Sequence, residues 1–224
     1  MMNFKFRLFR LFLLLPLFTF ALIEPALAQV KIKVVDQENK PLPNVVLEYD
    51  SPESTSKQPK AEKVYIMDQI NKQFAPHVLI VPEDSFVSFP NSDDIRHHVY
   101  SFSSAKTFEL KLYAGKPKSP VQFNKKGLVV MGCNIHDSMV GYIYVSDNAH
   151  TFISNEKGEI LLTNSLPNNT QLQVWHPDSA LGLSKHTRFT INQSMLDADE
   201  IILKIGVSEP EPGDSFEELH LHEH

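Results

Sequence analysis

The chain has 224 residues, of which 42% are hydrophobic and 21% charged, with a formal net charge of -6. That balance supports a buried core and excludes a disordered chain, a coiled coil and a multi-span membrane protein. The acidic balance also argues against a nucleic-acid binder.

Residues 1–28 read as a secretory signal peptide. Lys5, Arg7 and Arg10 form a basic start, an apolar stretch follows, and Ala26-Leu27-Ala28 is a small-x-small cleavage signal before Gln29. The apolar stretch is short for a membrane span and Pro16 interrupts it. The expected location is therefore periplasmic, with no membrane span after cleavage.

Short apolar or alternating runs separated by Pro, Gly, Asn, Asp and Ser then predict strands almost throughout. In chain order they cover 30–35, 45–49, 77–81, 85–89, 98–102, 107–113, 127–131 and 140–145, then 151–154, 159–162, 171–175, 187–191 and 200–205. No long window has helical periodicity. The pattern implies an all-β chain and an antiparallel sandwich or barrel. The polar stretches 50–63 and 146–150 divide it into a central unit, 60–147, and flanking pieces, 29–59 and 148–206. The pieces are too small to close a good core singly. They either pair as a discontinuous accessory sandwich or extend the central one. Residues 207–224 carry Glu209, Glu211, Asp214, Glu217, Glu218 and Glu223, with His220, His222 and His224, and read as a disordered acidic tail.

Cys133 is the only cysteine, so it makes no internal disulfide in an oxidising compartment. It stands in Gly132-Cys133-Asn134-Ile135-His136-Asp137-Ser138-Met139, expected to be a loop between two strands. A thiolate, an imidazole and a thioether in one short run suit copper. A type 1 site needs two His and one Cys in a plane with a weak axial Met. The second imidazole is expected from the upstream run Phe89-Pro90-Asn91-Ser92-Asp93-Asp94-Ile95-Arg96-His97-His98-Val99, which offers His97 or His98.

The Cys-x-x-His-x-x-Met spacing, with Phe74-Ala75-Pro76 and Val87-Ser88-Phe89 upstream, resembles the cupredoxin family, amicyanin and plastocyanin in particular. The Gly-Cys-Asn-Ile-His-Asp run also resembles the periplasmic plastocyanin-like group called methylamine utilization proteins. The resemblance implies a Greek-key cupredoxin sandwich. It implies one type 1 copper ion held by His97, Cys133, His136 and Met139. It matches His97-His98-Val99 to the family's His-Asn-Val, and so selects His97. His98 replaces the family's Asn, which ties the two copper loops together, and Asp137 replaces amicyanin's Pro. In cupredoxins the downstream His reaches the surface, which makes His136 the expected electron port, with Ile135, Met139 and Val140 as an apolar rim. Residues 34–45 and 155–174 resemble parts of a carboxypeptidase-regulatory (transthyretin-like) sandwich, the expected form of the accessory unit.

The function expected is single-electron carriage between redox partner proteins, a cytochrome or a dehydrogenase, without enzymatic activity. The alternative is a copper-binding or copper-delivery protein without fast redox turnover. A third reading makes the flanking sandwich a binder of a partner or envelope polymer. Lys106, Lys111, Lys116, Lys118, Lys125 and Lys126 read either as a docking face for an acidic partner or as a solvated surface. Trp175-His176-Pro177 is expected to cap a core strand.

Overall fold

A computed structural model describes residues 29–50 and 63–208. The expected signal peptide, nearly all of the 50–63 stretch and residues 209–224 of the expected tail lie outside the described residues; Val207, expected to open the tail, instead bridges to Ser179. No helix among the described residues is long and apolar enough to cross a membrane.

The described chain is nearly all β. In order come β1 (Val30–Val35), β2 (Val46–Tyr49), β3 (Val64–Ile66), β4 (Asp68–Ile70), β5 (Gln73–Ala75), β6 (Val78–Pro82), β7 (Ser85–Ser88), β8 (His97–Ser103) and β9 (Lys106–Tyr113). Then follow β10 (Val121–Phe123), β11 (Gly127–Cys133), β12 (His136–Ser146), β13 (Thr151–Ile153), β14 (Glu159–Leu162), β15 (Gln171–Trp175), β16 (Thr187–Thr190), the short helix α1 (Gln193–Leu196) and β17 (Ile201–Lys204). All thirteen predicted strands are present. The sequence reading missed β3, β4, β5 and β10, each only three residues long.

A five-stranded sheet, β6-β12-β11-β8-β9, carries the middle of the chain, with a three-stranded sheet, β10-β7-β3, and the β4-β5 pair. Their inward side chains form one core, with Phe89, Phe123, Val99, Met131, Ile143 and Val145 among its fully or almost fully buried members. The flanking segments build two further sheets, β14-β1-β17 and β13-β2-β15-β16. Between these lies a second core, drawn entirely from residues on either side of the middle segment, with Ile32, Leu47, Leu162, Leu172 and Leu203 buried. A third, smaller cluster joins the two: Val78, Val130, Tyr142 and Tyr144 from the five-stranded sheet meet Val46 and Trp175 from the flanking one.

The expected purely antiparallel pattern does not hold. β1 with β17, β12 with β6, and β3 with β7 run parallel. Each pair is far enough apart in sequence for the crossover that parallel pairing requires, and local alternation carries no information about direction.

Trp175 ends β15, as expected, and His176 follows it into the interior. The His176 Nδ1 accepts the Asp178 amide at 3.1 Å, while its Nε2 donates to the Pro43 carbonyl at 3.2 Å. These bonds require the neutral ring, because a proton on Nδ1 would remove the acceptor. Burial lowers the His176 pKa below its usual value, outweighing the pull of Asp178 in the other direction. The unfolded chain therefore takes up this proton first on acidification. The stabilisation is complete above the unfolded value, about 6.5, and is lost as pH falls through the folded one. The melting temperature is expected to be lower at pH 5 than at pH 7.5. An NMR titration should place the His176 imidazole below exposed histidines; a midpoint at or above about 6.5 would contradict the buried neutral ring.

Candidate metal centre

β8 sends the adjacent histidines to opposite faces. Its burial alternates residue by residue, with His97, Val99, Ser101 and Ser103 inward and His98, Tyr100 and Phe102 less buried. His97 is fully buried. His98 lies on the other face, where its Nε2 meets Glu109 Oε1 at 2.8 Å. This follows from strand geometry, which sends successive side chains to opposite faces.

The expected copper loop is tighter than the sequence suggested. β11 runs on through Cys133 and β12 begins at His136, so only Asn134 and Ile135 form the turn. The ladder slips at this point: Gly132 pairs with Val140, but Cys133 pairs with His136. An unbroken register would have set Cys133 opposite Met139. The irregularity places Asp137, Ser138 and Met139 as extra residues on β12 and bends the strand there. Cys133 also pairs with Val99 of β8, and the Asn134 amide donates to the His98 carbonyl at 3.1 Å. The two site segments are thus tied through backbone groups, as the replacement of Asn by His98 requires.

The result is a compact donor cluster. His97, Cys133 and His136 bring their ligand atoms within 4.8 Å of one another. The Cys133 Sγ lies 3.4 Å from His97 Nδ1 and 3.9 Å from His136 Nδ1. The two imidazole rings are 5.1 Å apart between centroids. Cys133 is only 2% exposed, whereas His136 is partly exposed. Two Nδ1 atoms converging on one sulfur, at the edge of an apolar core, fit the His₂Cys plane of a type 1 copper ion. Met139 is fully buried and belongs to the same core cluster as Cys133. Its expected place in an exposed rim is therefore wrong, because the bend in β12 turns it inward; Ile135, 48% exposed, does lie at the tip.

Asp93 is a site residue that the sequence reading passed over. Its Oδ2 lies 2.8 Å from His97 Nε2. Burial alone would raise its carboxyl, but hydrogen bonds from the Lys72 amide, the His97 ring and the Asn71 amide outweigh this and hold its pKa below the usual value. Nothing in the local sequence separates it from its loop neighbour Asp94. Across the ladder from His97, the Tyr113 hydroxyl donates to the Phe89 carbonyl at 2.7 Å, and burial pushes its pKa up to about 12.

No family model and no curated protein matches the chain. Among solved structures, it is similar to an oxidised amicyanin variant at 19% identity, covering 38% of this chain and 85% of that one, with a TM-score of 0.34. It is also similar to a purple cupredoxin from Nitrosopumilus maritimus at 22% identity, covering 36% and 96%, with a TM-score of 0.32. A copper-containing nitrite reductase from Thermus scotoductus SA-01 matches at 22% identity over 44% of this chain but only 25% of its own length, with a TM-score of 0.36.

Proposed function

We propose that the protein is a periplasmic single-copper electron carrier, with His97, Cys133, His136 and Met139 holding the ion. The observation that carries this reading is the convergence of two imidazole nitrogens on the one cysteine sulfur at the boundary of a packed core. Bound there, copper supplies a one-electron couple. The chain does the rest. Neighbouring backbone pairings hold His97 and Cys133, so their positions change little between oxidation states. The interior excludes water from both. His136, half-exposed beside Asn134 and Ile135, offers an imidazole edge through which an electron can pass to a docked partner.

On this reading the partner is another redox protein, a cytochrome or a dehydrogenase, and the chain catalyses no substrate conversion of its own. Four protein donors leave no open position for substrate. The leader at 1–28 is the basis for export. The flanking sheets, with their own core, serve as an accessory sandwich attached to the copper-bearing one.

The test is the visible absorption and EPR spectrum of the purified protein after addition of copper. An intense sulfur-to-copper band is expected, and Cys133→Ser should abolish it. A colourless wild-type protein would overturn the ligand assignment. Reversible cycling with a soluble cytochrome supports electron carriage, whereas rapid loss of copper to a chelator without cycling would favour delivery.

A further inference from the structure

Resting on the copper reading above, we propose that Asp93 is a positioning residue for the metal: it fixes the His97 ring with Nδ1 toward Cys133, and its charge favours the oxidised state of the site.

The His97 ring lies between two partners of opposite kind. Its Nε2 is 2.8 Å from Asp93 Oδ2, and its Nδ1 is 3.4 Å from Cys133 Sγ. An ionised carboxylate only accepts hydrogen bonds. The ring proton therefore belongs on Nε2, which leaves the Nδ1 lone pair free for a metal. A carboxylate on the far nitrogen of a ligating histidine sets both ring orientation and donor strength.

Asp93 is itself held from several directions. Its Oδ1 accepts the Asn71 amide at 2.6 Å and its Oδ2 accepts the Lys72 amide at 2.9 Å. Asn71 and Lys72 form the turn between β4 and β5, both with positive φ, at 54° and 59°. That backbone shape aims two successive N–H groups at one carboxylate. The Asp93 amide donates to Asn91 Oδ1 at 3.0 Å, and Asn91 Nδ2 in turn holds the Ile95 and Tyr113 carbonyls at 2.8 and 3.1 Å. The Asp93 side chain is only 12% exposed, so its charge is poorly screened. Cu(II) carries one more positive charge than Cu(I). A fixed anion one imidazole away therefore stabilises the oxidised site more than the reduced one. Glu109 plays no such part, since it meets His98 on the opposite face.

A purely structural tie between the β4-β5 turn and β8 would make the same bonds, so the test has to isolate the charge. In Asp93→Asn, one oxygen placed where Oδ2 now stands keeps both the His97 and Lys72 bonds while the charge is lost; the Asn71 amide, left facing the new Nδ2, gives up its acceptor. The copper-loaded variant should stay coloured. Its Cu(II)/Cu(I) ratio at a fixed ambient potential should fall tenfold or more, each tenfold being about 59 mV for one electron. Asp93→Glu, which keeps the charge, should lie nearer the wild type. In the metal-free wild-type protein, ¹⁵N NMR should find the His97 proton on Nε2. A coloured Asn variant with an unchanged potential would overturn the role of Asp93 and leave the copper reading standing, as would a proton on Nδ1. A wild-type protein without the sulfur-to-copper band overturns both.

Discussion

His97→Ala should abolish tight copper binding, while His98→Ala should leave it intact. Removing a group that merely orients a ligating histidine typically costs 10–100-fold in metal affinity; removing the ligand itself should weaken binding by more than about a hundredfold on that scale. The buried imidazole also leaves a void beside Cys133, in a core with no slack. The His98 side chain contributes its pairing with Glu109, whose side chain is about half-exposed, and an edge-on contact with the Tyr100 ring at 6.4 Å. Such surface pairs are worth roughly 0–1 kcal/mol, so His98→Ala should fold normally and keep its colour. Copper titration followed by the visible band distinguishes the two. Colour retained in His97→Ala, or lost in a folded His98→Ala, would invert the assignment.

The difficulty of choosing between these histidines shows what can be read from the chain directly. Cys133, His136 and Met139 were legible because they lie within seven residues and their chemistry converges on one metal. The facing of His97 was less clear. Ser101 and Ser103 are buried with Val99 while Phe102 is 63% exposed, so polarity along β8 misreports its burial. The serines are tolerated inside because their hydroxyls have partners: Ser103 Oγ accepts the Val130 amide, and Ser101 Oγ accepts the Ser103 amide. The slip at Gly132 and Cys133 was illegible for another reason. Only the backbone shows that three extra residues on β12 turn Met139 inward while His136 stays at the rim. β3 was missed because Val64 and Ile66 are exposed, so it lacks the buried face that periodicity detects. Asp93 looked like one more loop acid beside Asp94; its role depends on the amides of Asn71 and Lys72, about twenty residues earlier.

Trp175→Ala should be among the most damaging single changes to stability while leaving the copper spectrum unaltered. Trp175 is almost fully buried where the five-stranded sheet meets the flanking one. Its ring packs edge-on to Tyr142 at 5.5 Å and tilted to Tyr144 at 6.0 Å, and its Nε1–H donates to the Leu183 carbonyl at 2.9 Å. Truncating a buried Trp costs about 3–5 kcal/mol, a large share of the roughly 5–15 kcal/mol that holds an ordinary domain together. Trp175→Phe should cost less, since it keeps a ring and forfeits mainly the bond to Leu183. Cys133 and Met139 belong to a separate core, so the loss is expected at the joint and not at the metal. Trp175 is also the only tryptophan in the chain, so its fluorescence in the wild type reports on the joint while the copper band reports on the site. If the joint couples the two cores, both signals change at one denaturant concentration in the wild type. In Trp175→Ala, circular dichroism should then show the flanking strands melting before the colour is lost. An unchanged midpoint in Trp175→Ala would mean that the two cores hold together through other contacts, among them the Glu48 carboxylate that accepts from Tyr144 and Ser146.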